Sequence, residues 1–71
     1  MENKLYAKYF VIFDKGRKLF YDYHNCWADN MEYCYCFKNI EESHKKYLEL
    51  KENYDVCIFK VEIKEVENEQ E

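Results

Sequence analysis

The feature that most constrains this chain is a double change in the period of its apolar residues. Met31, Tyr33, Tyr35 and Phe37 alternate with Glu32, Cys34 and Cys36, the spacing of a strand. From Asn39 the spacing becomes helical: Ile40, Ser43, Tyr47, Leu50 and Tyr54 fall on one stripe of a helix expected over residues 39–53. It returns to two over residues 55–66, where Cys57, Phe59, Val61 and Ile63 share a face. Asn39 is placed to cap the helix, and Glu42, three residues on, to reach back to the Asn39 N–H. Glu41–Lys45 and Glu42–Lys46 have the favourable order for helical ion pairs, and Asn53 tolerates the left-handed conformation that ends helices. No other stretch carries a helical pattern, so the sheet has one helix to cover it.

Ahead of this stretch, residues 5–13 read as a strand rich in Tyr, Phe, Val and Ile. Residues 14–17 form a turn in which Gly16 is free to take positive φ, and residues 18–24 return as the second strand. Residues 25–30 are a polar loop containing Trp27. The fold class is α+β: a four-stranded, mainly antiparallel sheet in the order β-β-β-α-β with one helix packed on one face. It forms a single domain over residues 1–66, followed by an acidic tail, 67–71. A chain of 71 residues is near the lower limit for a core without staples, and its 20% aromatic content supplies the buried area.

Charge placement suggests which face the helix covers. Lys8, Asp22, Glu32, Lys38, Lys60 and Glu62 should avoid the covered side, because unpaired burial of charge is costly. The core face then holds Ala7, Tyr9, Val11, Phe13, Leu19, Tyr21, Tyr23, Met31, Tyr33, Tyr35, Phe37, Cys57, Phe59, Val61 and Ile63. The opposite face carries Tyr6, Phe10, Ile12, Phe20, His24, Cys34, Cys36 and Ile58 among those charges. An apolar, uncovered sheet face points to a partner protein or a second copy of the chain. Trp27 is either a plug folded over the end of the sheet or an exposed anchor for that partner.

The net charge of -4 is concentrated at one end. Basic and acidic groups cancel through Val61, after which Glu62, Glu65, Glu67, Glu69 and Glu71 face Lys64 alone. Glu65, Glu67 and Glu69 are either part of a solvated tail that keeps a small domain soluble or an acidic arm suited to a basic groove on a partner. Direct nucleic-acid binding is not expected, since that needs the opposite sign. No apolar run approaches the roughly 20 residues of a membrane helix, and no signal segment follows Met1. The expected setting is therefore cytoplasmic, without a membrane.

Four cysteines and two histidines raise the question of metal. His24, Cys26, Cys34 and Cys36 are the candidate ligands of a metal-stabilised alternative. On a regular strand, however, the Cys34 and Cys36 Cα atoms lie roughly 6.6 Å apart, whereas two thiolates on one zinc sit about 3.8 Å apart. Free thiols and no cofactor are the expectation. Cys26 near His24 lacks an orienting group and an oxyanion site, and a single glycine cannot build a phosphate loop, so no enzyme is expected. A nucleotide-type ligand stacked on the sheet is the remaining alternative.

The run Phe37-Lys-Asn-Ile-Glu-Glu-Ser, followed by Tyr47, Leu50 and Tyr54, resembles the strand-to-helix junction of small bacteriophage accessory proteins, including anti-CRISPR proteins. That resemblance implies a stoichiometric inhibitor that docks on a host protein or complex, in the host cytoplasm if phage-encoded. It assigns no functional residue. The expected contacts are Trp27, the outer-face residues Tyr6, Phe10, Ile12, Phe20, His24 and Ile58, and the arm residues Glu65, Glu67 and Glu69.

Overall fold

The structure is a computed structural model that describes residues 6–23 and 26–64. It contains β1 (Tyr6–Asp14), β2 (Leu19–Tyr21), β3 (Trp27–Ala28), a 3-10 turn (Met31–Tyr33), α1 (Ile40–Leu50) and β4 (Val56–Lys64). The four strands form one antiparallel sheet in the order β3-β2-β1-β4, with α1 against β1 and β4. The α+β class and the β-β-β-α-β order match the reading of the sequence. Among the described residues, no helix is long and apolar enough to cross a membrane.

Helix α1 begins where its cap predicts. Asn39 is extended, and its Oδ1 accepts the Glu42 N–H at 2.8 Å. Glu41 and Glu42 in the first turn face the positive end of the helix dipole. Ser43 and Leu50 are buried, with Tyr47 packed at the core margin. The Ser43 Oγ satisfies itself by donating to the Ile40 carbonyl at 2.8 Å, so a small polar residue can sit fully buried beneath the helix. Lys46 pairs with Glu49 at 2.8 Å. The helix ends without a left-handed residue: Lys51 stays right-handed, and the Asn53 and Tyr54 N–H groups both donate to the Leu50 carbonyl. Asn53 therefore does not take the role expected of it.

The third strand differs from expectation. Met31–Phe37 is not a strand. Asn30 caps a 3-10 turn by accepting the Glu32 N–H at 2.6 Å, and this local bond outcompetes extension. Met31 and Tyr33 are accordingly exposed. Of that segment, Phe37 forms an isolated bridge to Phe10, and the Tyr35 N–H donates to the Tyr21 carbonyl of β2 at 2.9 Å. The actual third strand is Trp27–Ala28, inside the expected loop.

The covered face is also the reverse of the expected one along β1 and β4. Phe10, Ile12, Tyr21, Phe37, Leu50 and Val56 form the core, with Trp27, Tyr35, Tyr47 and Ile58 packed against it. Tyr21, Tyr35 and Phe37 lie on the helix side as expected, but Phe10, Ile12 and Ile58 join them there. The cause is turn length. Asp14 pairs with Leu19 across a loop of residues 15–18, and an even-length loop places odd residues of β1 beside even residues of β2. Lys8, Lys60 and Glu62 share the helix side without being buried, because the nine-residue strands run ~30 Å and the eleven-residue helix only ~16 Å.

In that loop Asp14 Oδ1 accepts the Gly16 N–H at 3.0 Å and the Arg17 N–H at 3.4 Å, while its carbonyl accepts the Lys18 N–H at 2.7 Å. Lys18, not Gly16, adopts positive φ, at 60°. A Cβ on Gly16 would meet Asp14 Oδ1 at 3.5 Å, an ordinary contact. Gly16→Ala is therefore expected to be neutral or stabilising by up to ~1 kcal/mol, and Lys18→Gly to stabilise by ~1 kcal/mol. Urea unfolding of both variants checks this. A loss of stability in Gly16→Ala together with a loss in Lys18→Gly would contradict the turn geometry.

Candidate interaction surface

The face of the sheet opposite α1 is built by the strand register. Ala7, Tyr9, Val11 and Phe13 of β1 stand opposite Ile63, Val61, Phe59 and Cys57 of β4, and none of these eight residues is charged. Phe13 also pairs with Phe20, and Phe20 with Ala28, which extends the same face across β2 and β3. The Phe13 ring lies 4.8 Å from Phe20 and 5.4 Å, stacked, from Phe59. Val11 is fully buried in the middle of this face, outside the helix-side core. Phe59 and Ile63 are open, at 45% and 54% exposure.

At the loop end of the sheet, a second arrangement closes the helix-side core. Asp14 is buried, and its Oδ2 accepts from Arg17 Nε at 2.6 Å. The same guanidinium lies 4.6 Å from the centre of the Trp27 ring and 4.7 Å from that of Tyr54. The Trp27 and Tyr54 rings lie 4.9 Å apart, tilted by 51°, and Trp27 meets Tyr21 edge-on at 5.7 Å. One arginine thus joins the β1–β2 loop, β3 and the residues after α1. Trp27 is half-buried within this cluster. Burial pushes the Asp14 carboxyl up, but the Arg17 side chain and the Gly16 and Arg17 backbone donors outweigh it and leave the pKa lowered.

The expected contact residues therefore separate. Phe20 stands on the uncovered face. Phe10 and Ile12 are core residues, 7% and 0% exposed, and Ile58 is half-buried against that core. They are corrected from surface to interior by the loop parity described above. His24, Glu65, Glu67, Glu69 and the side chain of Tyr6 lie outside the described residues. Phe59 and Ile63, expected in the core from charge avoidance, are instead the most open large apolar residues of the uncovered face; the even loop length between β1 and β2 is the sequence signal that points to them. Arg17 gave no comparable signal, because its role depends on rings distant in sequence.

No disulfide joins any of the four cysteines. Burial, reinforced by the neighbouring Cys36, pushes the Cys34 thiol up to about 11, and burial also raises Cys57. Both therefore resist forming the thiolate that a nucleophile or metal ligand requires. Among the described residues, no group of three or more His, Cys, Asp or Glu side chains is placed to hold an ion. His44 is exposed and stacks on Tyr47 at 5.8 Å. No protein-family model, no curated protein and no solved structure matches this chain.

Because Asp14 is held ionised in the fold, its stabilisation is complete above the ordinary carboxylate range, about pH 4. It is lost as pH falls from there through the lowered value. Arg17→Ala is expected to cost ~2 kcal/mol at neutral pH by removing the partner of a buried carboxylate and the cap over Trp27. The variant should also lose stability at higher pH than the wild type on acidification. Chemical unfolding across pH 2–7 checks both, and an unchanged acid limb would contradict the pairing.

Proposed function

We propose that this chain is a non-enzymatic protein-binding module that acts by stoichiometric docking. The carrying observation is the face formed by Tyr9, Val11, Phe13, Phe20, Phe59, Val61 and Ile63, which lies opposite the only helix among the described residues and is free of charge along β1 and β4. Within it Val11 is buried, Tyr9, Phe13, Phe20 and Val61 are half-buried, and Phe59 and Ile63 are exposed; large apolar side chains left open on a sheet face are costly in water and typical of surfaces that meet another protein. Phe59, open and stacked on the Phe13 ring, and Ile63, open further along β4 opposite Ala7, have the size of binding hot spots. The raised thiols of Cys34 and Cys57 favour packing over chemistry.

The narrower form of this reading is a phage-type inhibitor of a host defence or nucleic-acid enzyme. It takes its class of target from the resemblance of the Phe37–Tyr54 stretch, and the acidic residues Glu65, Glu67 and Glu69 suit a basic groove on such an enzyme. The docking surface is the sheet face, not Trp27, because truncating Trp27 would open the core.

Phe59→Asp is expected to keep the fold, since the side chain is 45% exposed, and to weaken partner binding roughly thirtyfold or more. The check is quantitative capture from a bacterial host lysate on immobilised wild type and variant, with circular dichroism of each. Loss of a stoichiometrically retained protein only in the variant is the expected result. Equal retention by both would remove this face from the account.

A further inference from the structure

β4 is an edge strand, and among the described residues nothing pairs with its outer side. Nine residues long, without Pro or Gly, it is a ready template for another strand. The direction of its outer-side backbone groups follows from β1. The Phe10 N–H and C=O both bond to Phe37, at 2.9 and 2.8 Å, so Phe10 and its opposite residue Lys60 form a non-hydrogen-bonded pair. By alternation, Phe59, Val61 and Ile63 bond to β1. Ile58, Lys60, Glu62 and Lys64 direct their N–H and C=O groups to the open edge.

The side chains of the same segment have a two-fold pattern about Val61. Lys60 and Glu62 flank it with opposite charge, Phe59 and Ile63 flank it with apolar groups, and Ile58 and Lys64 lie beyond. We propose that β4 pairs with the β4 of a second copy, antiparallel about a dyad through Val61, to form a homodimer with one continuous sheet. Lys60 of each chain then stands opposite the partner's Glu62, and Phe59 opposite the partner's Ile63. All the edge-directed groups meet edge-directed groups, as antiparallel hydrogen bonding demands.

Lysines on an edge ordinarily discourage pairing. Here charge selects one register instead. Moving the dyad by one residue sets Lys60 or Glu62 against its own copy, and moving it by two takes Lys60 away from the partner's Glu62. The exposed Lys60–Glu62 contact within one chain, 3.3 Å, would become part of a four-charge alternating array. The dyad is normal to the sheet, so both uncovered faces lie on the same side and the two helices on the other, at opposite ends of the junction. Assembly stops at two, because the remaining sheet edge is β3, only two residues long.

The dimer stands apart from the docking reading, and its test does not use a partner. Sedimentation of the purified full chain at ten to several hundred micromolar is expected to give twice the 8.9 kDa chain mass. Lys60→Glu and Glu62→Lys should each weaken the dimer roughly tenfold or more, and the double variant should restore it. Hydrogen exchange of the wild type gives a readout free of any folding defect in the variants: the Ile58, Lys60, Glu62 and Lys64 amides should become protected together as concentration rises. A monomer throughout overturns the proposal. So does a dimer that ignores both charge reversals while those amides stay unprotected.

Discussion

The reciprocal backbone pair between Phe10 and Phe37 is the constraint on which the rest of this fold depends. It pins the chain beside β1 two residues before the Asn39 cap, so the helix must start over the face that Phe10 presents. The Phe37 ring then stacks on Tyr21 at 6.2 Å and meets Tyr35 edge-on at 4.7 Å. Leu50 and the buried Ser43 carry the helix down onto the same layer. With one helix committed to that side, the opposite face of β1 and β4 is left to solvent or to another protein. The open edge of β4 is set by the same pair, because it decides which backbone groups of β1 turn inward.

The sheet is closed at its other end by chemistry of a different kind. There the Arg17 guanidinium joins three separated segments by bonding Asp14 and lying over Trp27 and Tyr54. A chain this short cannot complete its core with aliphatic residues alone. Aromatic rings provide large buried area per residue, and a cation over their faces keeps the outermost ones in place. On the opposite face Val11 is fully buried as well.

Much of this architecture was legible in the sequence. The Asn39 cap, the Ser43–Leu50 stripe and the long outer strands are each written in local spacing, and local spacing is what short-range physics reads. The parity of the faces was not, because it depends on the number of residues between Asp14 and Leu19, and charge avoidance argued for the opposite answer. That argument failed because β1 and β4 outrun the helix, so Lys8, Lys60 and Glu62 can share its side without being buried. The third strand was lost to Asn30, whose side chain turns the chain where alternation alone reads extension. For the candidate surface, the existence of an apolar uncovered face was readable from having a single helix. Its membership, Phe59 and Ile63 in place of Phe10 and Ile12, required the register.

The central claim is that even-numbered residues of β1 lie beneath α1 and odd-numbered ones on the open face. Nuclear Overhauser effects from the Leu50 methyl groups test it most directly. The account predicts cross-peaks from Leu50 into the cluster of Ile12, Phe10 and Val56, and none to Val11 or Phe13. Cross-peaks from Leu50 to Val11 and Phe13, with none to Ile12, would reverse the sheet and remove the surface on which the proposed docking rests.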